Sequence, residues 1–219
     1  LLIWSTGNIE RIQRKEEGIG MMERSDVVKF FDTLAPTWDA EMTRSDEIIN
    51  VILDCGGIFA GKRVLDVACG TGVLFPDYLN RSVKCVVGAD ISPEMVKIAA
   101  EKYDNTHIKV ICADVQELEF DEKFDCVMIY NAFPHFPEPS RLLAHLTKYI
   151  VPGGRLTVAH GMSRVKIDAH HHGKASKVSV GLMRENELAS LMGRWFKVDT
   201  VISDDEKYIV SGVVMPQNE

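Results

Sequence analysis

Five short, β-rich apolar runs recur along the middle of the chain, and the stretches between them are too long to be tight hairpins. The runs are Arg63 to Val67, Lys84 to Ala89, Ile108 to Cys112, Phe124 to Tyr130 and Gly154 to His160. Antiparallel neighbours can be joined by a short turn, whereas parallel neighbours need a crossover of about a dozen residues, usually a helix. Each gap is therefore read as a crossover helix, and strands this uniformly apolar belong to a parallel sheet covered on both faces. The tail obeys another rule. After a helical stretch from Arg184 to Met192 come Lys197 to Ser203 and Lys207 to Met215, separated only by Asp204-Asp205-Glu206. A connection that short joins antiparallel strands. The resulting fold class is α/β: a doubly wound, seven-stranded sheet, mostly parallel with an antiparallel C-terminal strand, with helices on both faces.

Upstream of the first strand, Asp26 to Leu34 and Ser45 to about Cys55 carry helical spacing, separated by Pro36 and ended by Gly56-Gly57. Two helices are expected there. Residues 1–22 lack an initiator methionine at position 1 and contain Met21-Met22 as a candidate start, so a flexible extension or a misassigned start is expected, with the domain spanning 23–219. A composition of 46% hydrophobic and 26% charged residues over 219 positions fits one packed domain. The net charge of -7 opposes a broad grip on phosphates, so no nucleic-acid partner is expected. No apolar run approaches the roughly 18 residues that span a bilayer. A cytoplasmic protein without a membrane partner is expected. Cys55, Cys69, Cys85, Cys112 and Cys126 contain no C-x-x-C and read as reduced thiols.

The segment from Val64 to Gly72, VLDVACGTG, is an apolar strand running into a small-residue turn and then a helix beginning near Val73. Such a turn lets backbone N–H groups approach a ligand closely. A lone G-x-G is equally an ordinary tight turn. The next strand ends in Asp90, eighteen residues beyond Gly72, where a carboxylate in a doubly wound sheet can accept hydrogen bonds from ribose hydroxyls. The third strand is closely followed by another carboxylate, Asp114. Ligands of open α/β sheets bind at these carboxyl ends.

In order, VLDVACGTG, GADIS, CADVQEL and FDCVMIYNAFPHF resemble the four successive motifs of class I S-adenosylmethionine-dependent methyltransferases, and VPGGRLTVAH resembles the turn and strand that follow. Ala68 stands where many members have glycine. The resemblance covers roughly Asp26 to Met215 and implies a Rossmann-like domain that binds S-adenosyl-L-methionine and methylates a small-molecule acceptor. It implies that Gly70 and Gly72 approach the methionine part of the cofactor beside Ala68. Asp66 would orient its amino group, Asp90 would hold the ribose, and Ile91 would pack on the adenine. Asp114 and Val115 would meet the adenine edge, and Asn131 would lie beside the methyl-transfer site. Phe31 to Asp39 resembles the segment that folds over the cofactor in small-molecule members; Phe31 and Trp38 are equally candidate core residues.

His160 ends the fifth strand, and His170, His171 and His172 follow in the insert before the last helix. They are expected at the substrate end of the pocket, with His160 and His171 as candidate catalytic bases. Metal ligation and a purely structural role are the other readings; no metal site is assigned. A nicotinamide-dependent oxidoreductase is the nearest alternative enzyme, but G-x-G-x-x-G would need glycine where Phe75 stands. A cofactor-binding interaction protein without turnover is the non-enzymatic alternative. Asn131-Ala132-Phe133-Pro134 matches poorly the signature of base-amino methylators.

Overall fold

The computed structural model describes residues 22–171 and 177–216. Among the described residues three helices precede the sheet: α1 (Arg24–Leu34), the single turn α2 (Trp38–Glu41) and α3 (Asp46–Cys55). The sequence reading had two; the additional turn follows a 3-10 segment, Ala35–Thr37, set by Pro36. Helix α3 starts where the Ser45 side chain accepts the Ile48 N–H, with Asp46 and Glu47 in its first turn. It stops before Gly57, whose φ of 65° most residues avoid.

Then come β1 (Arg63–Val67), α4 (Phe75–Asn80), β2 (Cys85–Asp90), α5 (Pro93–Lys102), β3 (Ile108–Cys112) and β4 (Phe124–Tyr130). They are followed by α6 (Pro139–Thr147), β5 (Ile150–His160), α7 (Arg164–His171), α8 (Glu185–Met192), β6 (Phe196–Ser203) and β7 (Tyr208–Val214). The strand order is β3-β2-β1-β4-β5-β7-β6. Pairing is parallel from β3 through β5, and β7 runs antiparallel to both β5 and β6. This is the doubly wound, mostly parallel sheet with an antiparallel C-terminal strand that the sequence predicts. The β3–β4 connection departs from that reading, because residues 113–123 form turns and no helix. Eleven residues leave little room for a helix once both ends must reach the sheet.

Alternate residues of a strand face opposite sides of a sheet. Leu65, Val67, Val127, Ile129, Leu156 and Val158 pack on one side with Leu142, Leu146 and Leu188 from α6 and α8. Val64, Cys126, Met128 and Ala159 face the other side, against Ile49 and Leu53 of α3 and Phe75 and Tyr78 of α4. Burying one such aliphatic side chain stabilises the fold by about 1.5–3 kcal/mol. The order reverses at β1, between β2 and β4, and the crevice at that switch point is where an open α/β sheet takes its ligand.

Candidate functional site

A cleft of about 250 Å³ opens at the carboxyl ends of β1, β2 and β4. Its floor is the turn after β1. Ala68, Gly70 and Gly72 have φ of 56°, 55° and 78°, all left-handed. For alanine this costs roughly 1–2 kcal/mol, a cost that glycine would avoid. The turn is closed by the Gly72 N–H donating to the Cys69 carbonyl at 3.0 Å and the Phe75 N–H donating to the Gly72 carbonyl at 3.1 Å. Helix α4 therefore starts at Phe75 rather than near Val73, because the turn uses the residues up to Leu74.

Asp90 fixes this floor to β2. Its Oδ2 accepts the Gly70 N–H at 2.8 Å and its Oδ1 accepts the Ser92 N–H at 2.8 Å. Burial raises its pKa, while those N–H groups pull it back. Asp66 lies on β1 beneath the turn, only 2% exposed. Burial pushes its carboxyl up to about 8, against a lowering contribution from Tyr78. A carboxyl raised that far is largely protonated at neutral pH.

The N-terminal segment lies over the opening. Val27, Phe31 and Trp38 line the cleft, and the Phe31 ring meets Trp38 and His135 edge-on at 5.8 and 5.0 Å. Polar contacts fasten it down. Ser92 Oγ donates to Asp32 Oδ1 at 2.5 Å, Thr71 Oγ1 to Asp39 Oδ1 at 2.5 Å, and Lys102 Nζ to Asp39 Oδ2 at 2.6 Å. Ser92 also caps α5 by accepting the Met95 N–H, so one hydroxyl ties lid, helix start and the β2 end together.

Residues 64–154 match the family described as a methyltransferase domain. The match covers under half of the chain and makes that stretch similar to methyltransferase domains. It is 33% identical over 140 residues to the demethylmenaquinone methyltransferase of Renibacterium salmoninarum, covering 61% of this chain and 58% of that one. It is 36% identical over 113 residues to the ubiquinone/menaquinone biosynthesis C-methyltransferase UbiE of Erwinia tasmaniensis, covering 48% and 45%. The chain thus spans about half the length of the curated relatives it matches. In fold it is similar to a chain of the complex between the Haloferax volcanii methyltransferase activator Trm112 and a methyltransferase, with TM-score 0.75, 19% identity and coverage of 88% and 99%. It is also similar to magnesium protoporphyrin IX methyltransferase of Synechocystis PCC 6803, with TM-score 0.66, 18% identity and coverage of 88% and 100%.

Of the residues singled out from the sequence, Asp66, Ala68, Gly70, Asp90, Ile91, Asp114, Val115 and Asn131 line the cleft. Asn131 sits at φ 53° and its Oδ1 accepts the Gly161 N–H at 3.0 Å. Gly72 is not among the lining residues. A Cβ there would fall 2.6 Å from Phe75 Cδ2 and 2.9 Å from Tyr103 Cε2, so its backbone lets those rings pack beneath the turn. Phe31 and Trp38 line the cleft, as a cover segment would.

The histidines separate. His160 is 2% exposed, stands opposite Tyr208 in the β5–β7 register, and packs its ring edge-on against that tyrosine at 6.0 Å. By strand alternation it shares the face of Leu156 and Val158, and it is not among the cleft-lining residues. His170 and His171 end α7, but their side chains, and the whole of His172, lie outside the described residues. Among the described residues no group of three or more His, Cys, Asp or Glu side chains is placed to hold a metal ion. Among the cleft residues missed at the sequence level are Tyr130 and His135, just at or beyond the β4 end. The signal was present: the same strand-end argument applied to Asp90 holds for FDCVMIYNAFPHF. All five cysteines are free thiols, Cys69 buried at the cleft and Cys112 exposed, and no helix among the described residues is long and apolar enough to cross a membrane.

Proposed function

We propose that this chain binds S-adenosyl-L-methionine and transfers its methyl group to a small-molecule acceptor by in-line displacement. The observation that carries the reading is the Asp90 carboxylate. Each of its oxygens already accepts one backbone N–H, which orients the carboxylate rigidly at the β2 end and leaves further lone pairs for ribose hydroxyls.

The residues present fit the cofactor. Ile91, Met95 and Val115 offer apolar walls next to Asp114, a carboxylate that would accept from the exocyclic amine of an adenine. The left-handed turn at Ala68 and Gly70, with Gly72 behind it, suits close approach of the methionine part, and Asp66 would meet its ammonium group. Asn131 would border the reacting end. Bound there, the cofactor supplies a methyl group already activated by its sulfonium; the protein's task is orientation and exclusion of water. Phe31 and Trp38, latched through Asp32 and Asp39, serve the exclusion. The relatives are named for quinones, which supports a small, flat acceptor. Five free thiols suit a reducing compartment such as the cytoplasm.

Calorimetry with S-adenosylhomocysteine tests the reading. Binding to the wild type, with no binding of NAD, is expected, and Asp90→Ala should weaken affinity by about one to two powers of ten, as loss of hydrogen bonds to a charged group of roughly 1.5–3 kcal/mol implies. Unchanged affinity in a folded Asp90→Ala variant overturns the ribose assignment.

A further inference from the structure

We infer that loading of this cleft is coupled to proton release: the α-ammonium group of an S-adenosyl ligand displaces a proton from the Asp66 carboxyl, so occupancy falls as the medium acidifies. The inference rests on the methyltransferase reading above and adds a regulation by pH to the same site.

Asp66 is set on β1 where a carboxyl finds no countercharge. Its partners in the two flanking ladders are Gly88 on β2 and Met128 on β4. By strand alternation it shares the face of Val64, where Ile49 and Leu53 of α3 and Phe75 of α4 pack. The titratable groups that reach it from the surrounding elements are the Tyr78 phenol of α4, Asp90 of β2 and the Cys69 thiol of the turn, none of them a cation. The cations lining the cleft are engaged elsewhere, Arg24 with Glu117 at 2.9 Å and Arg141 with Glu138 at 3.3 Å. The cleft's imidazole, His135, has its Nδ1 2.6 Å from the Val178 carbonyl oxygen. Asp66 nevertheless lines the cleft, so a ligand can reach it.

The two carboxyls of the cleft floor are unequal. Asp90 accepts the backbone N–H groups of Gly70 and Ser92, both at 2.8 Å, and such donors favour the ionised form. Among the described residues no backbone N–H donates to Asp66. A charge on Asp90 makes a second charge beside it costlier, and burial acts on Asp66 in the same direction. Of the pair, Asp66 is therefore the one that keeps its proton. An α-ammonium group, with an ordinary pKa of roughly 7.7–8.0, stays charged below neutral pH and brings the missing cation. In the step the carboxyl O–H bond breaks, its electron pair stays on oxygen and the proton passes to water. The ammonium N–H then donates to the new carboxylate. By linkage, affinity rises with pH by up to about tenfold per unit wherever the empty site holds this proton and the loaded site does not.

The test compares two ligands. S-adenosylhomocysteine carries the ammonium group, whereas 5′-methylthioadenosine keeps the adenine, ribose and sulfur and lacks it. Calorimetry at about pH 6.5 in two buffers of different ionisation enthalpy counts the protons: the wild type should release close to one with the first ligand and close to none with the second. Between about pH 5.5 and pH 7, affinity for S-adenosylhomocysteine should rise by about tenfold or more, and affinity for 5′-methylthioadenosine by less than about threefold. Asp66→Asn should abolish the release. Titration of His135 is common to both ligands and cancels in the comparison. Equal release with the two ligands, or a release that survives in Asp66→Asn, overturns the coupling. Binding of S-adenosylhomocysteine without proton release overturns the inference alone and leaves the methyltransferase reading standing; if that ligand does not bind the wild type, the reading falls and the inference with it. Should Asp66→Asn not fold, the two-ligand comparison on the wild type decides.

Discussion

Replacing Asp66 by asparagine should flatten the pH dependence of stability of the cofactor-free protein between about pH 4 and pH 8. The carboxyl is pushed from 3.8 up to about 8, chiefly by burial. In that window the folded state keeps a proton that the unfolded chain has released. Stability contributed by the group is thus fully present below the unfolded value and is lost as pH rises through the folded one. Each pH unit is worth about 1.4 kcal/mol, so a shift of this size sets an upper limit of roughly 6 kcal/mol across the window. Asparagine has a similar shape and does not titrate. Asp90, whose pKa is also raised, is common to both proteins and cancels in the difference. Urea denaturation at pH 5 and pH 7.5 should show the wild type losing up to roughly 3 kcal/mol relative to Asp66→Asn. Parallel pH dependence in the two proteins would refute the claim that Asp66 is held protonated in the folded state.

Gly72→Ala should destabilise by about 1–3 kcal/mol, because the new Cβ meets Phe75 and Tyr103 at under 3 Å on a backbone with φ 78°; a thermal melt within one degree of wild type would show that the rings shift freely. Thiol labelling of the denatured, unreduced protein should count five free cysteines, and a smaller count would mean that a disulfide forms.

Much of this architecture was legible in the residues because burial and hydrogen bonding leave local signatures. Strands enclosed on both faces must be apolar throughout, so RVLDV, IKVIC and FDCVMIY stand out from their surroundings, and the three acidic residues after the β6 run announce a reversal. Asp90 was visible because a carboxylate directly ending such a strand has a defined place at the sheet edge. The missing β3–β4 helix was a matter of length, and an apolar pattern does not count the residues needed to climb off one strand and return to another.

The sequence by itself determined which segments are strands and which strand ends carry carboxylates, since these depend on the pattern of neighbouring residues. Only the tertiary structure decided which polar side chains meet in the cleft. His160 and His135 both follow apolar strands, yet the register of β5 against β7 sends the first among Tyr208 and the core. The second lines the cleft, with its Nδ1 on a carbonyl more than forty residues away. Asp32 and Asp39 likewise find Ser92 and Thr71 across long stretches of chain. Side-chain direction is set by pleat, turn and the partners that other elements bring into reach, and those partners are distant in sequence and close only after folding.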